Sequence, residues 1–436
     1  MSQTKAIDRF FALASSTKER HAFAGGPRIV AIETVIPFDV MPGLILVRLH
    51  TDAGTVGGVP VIGHGESYYL PEAVAAVLHE WMSARLLGAD ATAIESHWRF
   101  LYERCIAFGG TGAELRALSA VDLALWDILG QLTDRPIWKL LGGPVRDWIP
   151  VYNSCGGPSY GGRKLEEPRR QGWPGHGDLG KPGHLQDNWS SINTPGDLAE
   201  ELLAAGYRAM KLWSFDRIYQ ESGGQRITHA DIAQGVAPFH AIRERVGKKI
   251  ELMLDGHGFF ALPAALRIAH AMRDIDPLWM EDVLRPDCIE TMRQFREGAG
   301  VPIAVSEMLV TRGLYRQALD RQAADYVMID PTWVGGISES KRIAELAQVY
   351  NVPVLMHDCT GPLTLMAGLQ IAASVPGVTY QETVRAHIAT IYPHLIDDQL
   401  QVQEGHLPLP KRNGIGIRLL PQLFSTDQPS YRKSSL

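Results

Sequence analysis

Three carboxylates recur at equal steps along the chain: Asp255, Glu281 and Glu307 stand 26 residues apart, each closing a short apolar run ("LMLDG", "LWMED", "AVSEM"). Short apolar runs bounded by turn residues read as buried strands. Neighbouring strands lie roughly 4.8 Å apart, so carboxylates at the ends of three consecutive parallel strands can converge on one cation. Buried without one, three negative charges would be very costly. Hard oxygen donors with no cysteine among them select Mg²⁺, with Mn²⁺ as the alternative. Any one of the three alone reads as a helix N-cap or a salt-bridge partner. Their joint placement at successive strand ends favours the metal.

Other ionisable residues end further runs: Lys211 after "YRAM", Asp330 after "DYVMI", His357 after "PVLM", and Glu382 in "VTYQE". An aspartate beside a histidine on the next strand sets the ring's tautomer and supports its imidazolium form, which a general base requires. His257 follows Asp255 by two positions, and strand alternation directs both side chains into one space. His270, His387 and His394 read as packing or surface residues, although His387 follows its strand closely enough to line the same mouth.

The elements that must position these residues follow from the wider pattern. Residues 28 to 60 read as a meander of short strands, and residues 71 to 142 have a helical period, with "PEAVAAVLHEWMSARLLG" opening on proline and closing on glycine. After "LLGGPVRDW", eight short apolar runs alternate with amphipathic helices: "IPVYNSC", "YRAMKLW", "IELMLDGHG", "PLWMED", "PIAVSE", "ADYVMID", "PVLMHD" and "VTYQE". This is the grammar of a parallel βα barrel, whose chemistry sits at the C-terminal ends of its strands. The expected fold is α/β: a modified TIM barrel of (β/α)7β type with an N-terminal α+β capping domain. The expected boundaries are 1–145 for the cap, 146–390 for the catalytic barrel, and 391–436 for a C-terminal segment packing back on the cap. A Gly/Pro-rich stretch at 156–195 is too long for an ordinary βα loop, and reads as a lid or a partner contact.

Composition limits the partners. The chain has 436 residues, 45% hydrophobic and 21% charged, with 42 basic against 48 acidic residues and a formal charge of −6. That balance offers no basic field for nucleic acid or an anionic membrane and favours a small-molecule partner. Its four cysteines lie far apart without a CxxC pair, which argues against a zinc site or a disulfide scaffold and suits a reducing cytoplasm. Charges interrupt every apolar stretch of residues 1–20, so a signal-peptide core is not expected there, and no run approaches the roughly 20 apolar residues of a membrane span.

The motifs together resemble the enolase superfamily in its mandelate racemase-like branch, and most closely the acid-sugar dehydratases of the galactonate dehydratase type. "LDGHG", "LWMED", "AVSEM", "VMIDPTWVGGISE", "VLMHDCTGP" and "TYQET" carry the resemblance in the barrel, with "GHGES" and "ALSAVDLALWDILG" in the cap; it spans about residues 28 to 420. The resemblance implies a hydro-lyase in which Asp255, Glu281 and Glu307 hold Mg²⁺, and the metal binds the substrate carboxylate and stabilises an enediolate. It implies that His357, oriented by Asp330, takes the α-proton, that His257 protonates the departing β-hydroxyl, and that Glu382 lies near the substrate carboxylate or the enediolate oxygen. Lys211 matches the first lysine of a Lys-x-Lys pair, but position 213 is Trp. Glu281-Asp282-Val283 replaces the usual Glu-Glu-Pro, and alternation lets one of the two carboxylates face inward. A closed homo-oligomer is also implied, with Trp173 and Trp189 of the long loop as apolar anchors.

Three rival readings fit the same residues. A racemase or epimerase would use Lys211 and His357 on opposite faces of the α-carbon. A Schiff-base aldolase on Lys211 would need no metal, and a non-catalytic relative would bind without turnover. Substrate specificity is expected from "VIGHGESYY" (61 to 69) and from the 156–195 loop, and Arg312, beyond Glu307, is expected either to contact substrate or to pair at the surface.

Overall fold

A computed structural model describes residues 25–158, 160 and 181–436; the opening segment and Trp173 lie outside the described residues. Two sheets organise the described residues. The first is antiparallel, built from β1 (Ile29–Val35), β2 (Leu44–Val56) and β3 (Val59–Tyr68), and completed by the C-terminal strand β13 (Arg432–Ser435) pairing with β1. The 20-residue helix α1 (Ala113–Leu132) lies against β3. Glycine permits that approach: a Cβ on Gly63 would lie 2.1 Å from the Ala124 carbonyl oxygen, and one on Gly65 2.0 Å from that of Ala120.

The second sheet closes on itself. Eight parallel strands run in chain order, β4 (Trp148–Ser154), β5 (Ala209–Leu212), β6 (Glu251–Asp255), β7 (Trp279–Glu281), β8 (Ile303–Val305), β9 (Tyr326–Ile329), β10 (Val354–Met356) and β11 (Val378–Thr383), and β11 pairs with β4. All eight expected strands are present, and β12 (His406–Pro408) adds antiparallel to β4. No helix among the described residues is long and apolar enough to cross a membrane.

Period-two alternation sets the height of the site. Tyr152, Ala209, Met253, Trp279, Ala304, Met328 and Leu355 fill the barrel interior as one buried layer. Two residues further along their strands stand Lys211, Asp255, Glu281, Asp330 and His357; Glu382 stands in the same relation to Tyr380, which packs against that layer. On β8 the alternation delivers Ser306, and Glu307 follows in the turn.

The cap docks on the barrel through the motifs noted above. In α1, Ser119 Oγ accepts from Gly335 N at 2.9 Å, and the Asp122 carboxylate accepts from Ser338 N at 3.0 Å and Ser338 Oγ at 2.6 Å. These groups open the barrel helix α2 (Gly336–Val349), whose orphan N–H groups a carboxylate suits. Gly336 has φ +88°, and a Cβ there would lie 2.2 Å from Asp122 Oδ1. Glu66 of β3 does the same for α3 (Pro362–Ala372), accepting from Thr364 N at 2.6 Å and Thr364 Oγ1 at 2.7 Å. The cap thus covers the mouth at the C-terminal end of the barrel.

Candidate active site

A small cavity opens at this mouth. Asp255, His257, Glu307 and His357 line it, with Cys359 and Thr360 from the loop after β10, Trp333 from the loop after β9, and Tyr69 and Tyr160 closing over it. Tyr69 belongs to the expected specificity stretch, and Tyr160 to the expected lid.

Lys211 is the hub beneath. Its Nζ lies 2.6 Å from Glu281 Oε1, 2.8 Å from Glu382 Oε1 and 3.3 Å from Asp255 Oδ2, and it sits over the Tyr152 ring at 5.4 Å. Burial works against its charge, but Glu281 and Glu382 outweigh that and push its pKa up. The expected cluster of carboxylates therefore contains a buried ammonium that spacing alone did not place among them. Among the described residues, His357, Cys359 and Glu382 bring one potential ligand atom each within 4.8 Å of one another.

Two histidines are each held by an aspartate. His357 Nδ1 lies 2.8 Å from Asp330 Oδ2, which directs Nε2 to the other side of the ring, 3.8 Å from Glu382 Oε2. Burial opposes its charge, yet Glu307, Glu382 and the Asp330 hydrogen bond raise its pKa well above the ordinary range. His257 Nδ1 lies 3.0 Å from Asp216 Oδ1, and its Nε2 3.5 Å from Asp255 Oδ2. Again burial opposes the charge, and Asp216 and Asp255 raise the pKa to about 10.

His257 reaches the cavity by a route other than alternation. β6 ends at Asp255, and His257 sits in the following turn at φ +50°. Asp255 Oδ1 accepts from the His257 backbone N at 2.9 Å, holding the turn that aims the ring. Glu281 and Asp282 are both buried. β7 ends at Glu281, and Asp282, at φ +43°, turns inward to accept from Ser306 Oγ.

His387 is buried and donates through Nε2 to the Tyr160 carbonyl at 2.9 Å, so it supports a cavity wall. Burial lowers its pKa to about 4. Arg312 pairs with Glu339 at 2.8 Å over the Trp98 ring and is not among the cavity-lining residues. Asp216 was missed in the sequence: it opens a short helix after β5, five residues beyond Lys211, and no local pattern separates it from an N-terminal helix acid.

Family models match both parts of the chain. Residues 22–142 match the mandelate racemase/muconate lactonizing enzyme N-terminal domain, and residues 196–423 the enolase C-terminal domain-like family. The chain belongs to the enolase superfamily, in its mandelate racemase-like branch. Its relatives include a D-xylonate dehydratase of Haloferax volcanii, 28% identical over 86% of this chain and 83% of the relative. A D-galactonate dehydratase family member of Streptomyces bingchenggensis is 29% identical over 89% and 91%. The crystal structure of an enolase protein from the Sargasso Sea environmental genome superposes with a TM-score of 0.80, at 35% identity, over 94% of this chain and 99% of that one.

The residues fit a divalent cation. Glu307 Oε2 and Asp282 Oδ1 are buried without a hydrogen-bond partner among the described residues. Burial and neighbouring carboxylates push the pKa values of Glu281, Asp282 and Glu307 upward even with Lys211 present. The cluster thus has more carboxyl groups than its own cations keep readily ionised. Asp255, Glu281 and Glu307 are the oxygen donors that would hold the ion.

Proposed function

We propose that this chain is a dehydratase of a sugar acid, an aldonate or aldarate, that depends on Mg²⁺ or a similar divalent cation and yields a 2-keto-3-deoxy acid. The observation that carries this reading is the pair of aspartate-backed histidines on one cavity, above a carboxylate cluster with an unpartnered oxygen. Relatives named for xylonate and galactonate support the substrate class. When bound, the cation supplies Lewis-acid stabilisation of charge developing on the substrate carboxylate and, by neutralising Glu307, eases proton loss from His357.

The chain's own groups divide the proton transfers. His357 Nε2 takes the α-proton while Asp330 holds the ring through Nδ1. His257, charged at neutral pH because Asp216 and Asp255 raise its pKa to about 10, gives its proton to the β-hydroxyl as the C–O bond breaks. Water leaves, the electron pair of the broken C–H bond becomes the new double bond, and the enol rearranges to the keto acid. Glu382, bound to Lys211, borders the substrate carboxylate. Tyr69, Tyr160 and Trp333 exclude water from the cavity.

Lys211 weighs against the rival readings. Bound to three carboxylates and 1% exposed, its ammonium lacks the free lone pair that a second racemase base or a Schiff-base nucleophile needs. The test is to incubate the protein and Mg²⁺ with a library of aldonates and aldarates and to assay for 2-keto-3-deoxy product. Racemised acid without loss of water from any member would overturn the reading. Homo-oligomeric assembly belongs to the same proposal, with half-buried Trp189 as one anchor; a monomer by light scattering at micromolar concentration would refute it.

A further inference from the structure

The loop after β10 brings a thiol beside the proposed base. Cys359 Sγ donates to Glu382 Oε1 at 3.3 Å, and His357 Nε2 lies 3.8 Å from Glu382 Oε2. The three side chains are buried, with ligand atoms all within 4.8 Å of one another. Zinc bonds to N, O and S run about 2.0 to 2.3 Å, so tetrahedral ligand atoms lie roughly 3.3 to 3.6 Å apart. The 3.3 Å and 3.8 Å spacings, which run to the two different oxygens of Glu382, are near that range.

We propose that His357, Cys359 and Glu382 form a binding site for a borderline-soft cation, Zn²⁺ by its ligand chemistry, separate from the carboxylates suited to Mg²⁺ and inhibitory when filled. An imidazole, a thiolate and one carboxylate make a three-ligand set of the kind catalytic zinc uses, and hard Mg²⁺ avoids thiolate. Asp330 at 2.8 Å from Nδ1 supplies the outer carboxylate that commonly orients a metal-binding imidazole. The cavity beside Cys359 and Thr360 leaves a fourth position for water, and the buried Thr360 Oγ1 has no partner among the described residues. On binding, the thiol and Nε2 protons leave to solvent, and the Nε2 lone pair is no longer available to take a proton from substrate.

The site is tested by titrating the metal-free protein with Co²⁺ in saturating Mg²⁺. The expected result is one equivalent bound with a thiolate-to-cobalt charge-transfer band, bleached by Zn²⁺. C288S, which removes the exposed thiol, keeps the band, and C359S loses it. D330N binds roughly 10- to 100-fold more weakly. X-ray absorption at the zinc edge of the unmutated protein, one zinc per chain, shows one sulfur at about 2.3 Å. No sulfur in that shell, or a band of equal strength in C359S, overturns the site; neither measurement depends on what the enzyme dehydrates.

Discussion

His257 and Asp216 are 41 residues apart in sequence and 3.0 Å apart in the fold, Nδ1 to Oδ1, with side chains 9% and 6% exposed. The carboxylate is the largest of the contributions that raise the histidine's pKa to about 10 against the pull of burial. In D216N that pKa falls, and the proton His257 should give to the leaving hydroxyl is less available at neutral pH. Dehydration should slow while exchange of the α-proton with D₂O continues. NMR titration of the His257 ring checks the cause, and an unshifted pKa would remove it.

The two histidines separate by isotope exchange. H357N should abolish both dehydration and α-proton exchange, since Nε2 is the base in each. H257N should lose dehydration and keep exchange. General acid–base groups contribute about 10² to 10⁴ in rate, so each loss is measurable. Near-normal dehydration by H257N would defeat its assignment, and equal loss of exchange in both variants would require the roles to be redrawn.

Chelation should silence the enzyme. Glu281, Asp282 and Glu307 have raised pKa values because burial and mutual repulsion act on them together. EDTA should remove activity, and Mg²⁺ or Mn²⁺ should restore it and raise the unfolding temperature. Full turnover by a metal-free preparation sinks this assignment.

Replacing Lys211 tests the hub. K211M deletes the ammonium shared by Glu281, Glu382 and Asp255 and leaves uncompensated buried charge, which typically costs about 3–5 kcal/mol. The variant should unfold at lower denaturant and regain part of the loss with Mg²⁺. Stability equal to that of the parent would show that the carboxylates are already protonated.

Glu33 ties the C-terminal strand to the cap. Its carboxylate lies 2.7 Å from His50 Nε2, 2.9 Å from the Tyr431 hydroxyl and 3.3 Å from Lys433 Nζ. Burial raises its pKa, but these partners prevail and hold it down at about 2, below the ordinary 4.5. A folded pKa below the unfolded one means that the stabilisation is complete above about pH 4.5 and is lost as pH falls toward 2. Hydrogen exchange of residues 432–435 should therefore quicken on acidification, and E33Q should lack that dependence. An identical acid response in E33Q removes Glu33 as the cause.

The architecture was legible because its signals are local. Eight apolar runs with turn residues between them predict eight strands, and the period of two places Lys211, Asp255, Glu281, Asp330, His357 and Glu382 above the interior layer wherever the strands begin. Only the closed barrel decided how those side chains meet. Lys211 among three carboxylates, Asp216 behind His257, and Cys359 between His357 and Glu382 are contacts across the barrel mouth, set by strand order and closure. The turns at His257 and Asp282 depend on a hydrogen bond accepted by Asp255 and on Ser306 at the end of the neighbouring strand. Tyr69 reaches the cavity from the cap, in the turn that follows β3. Spacing along a chain carries periodicity; it does not carry which side chains lie within three ångströms once the sheet has closed, because that distance is set by every element between them.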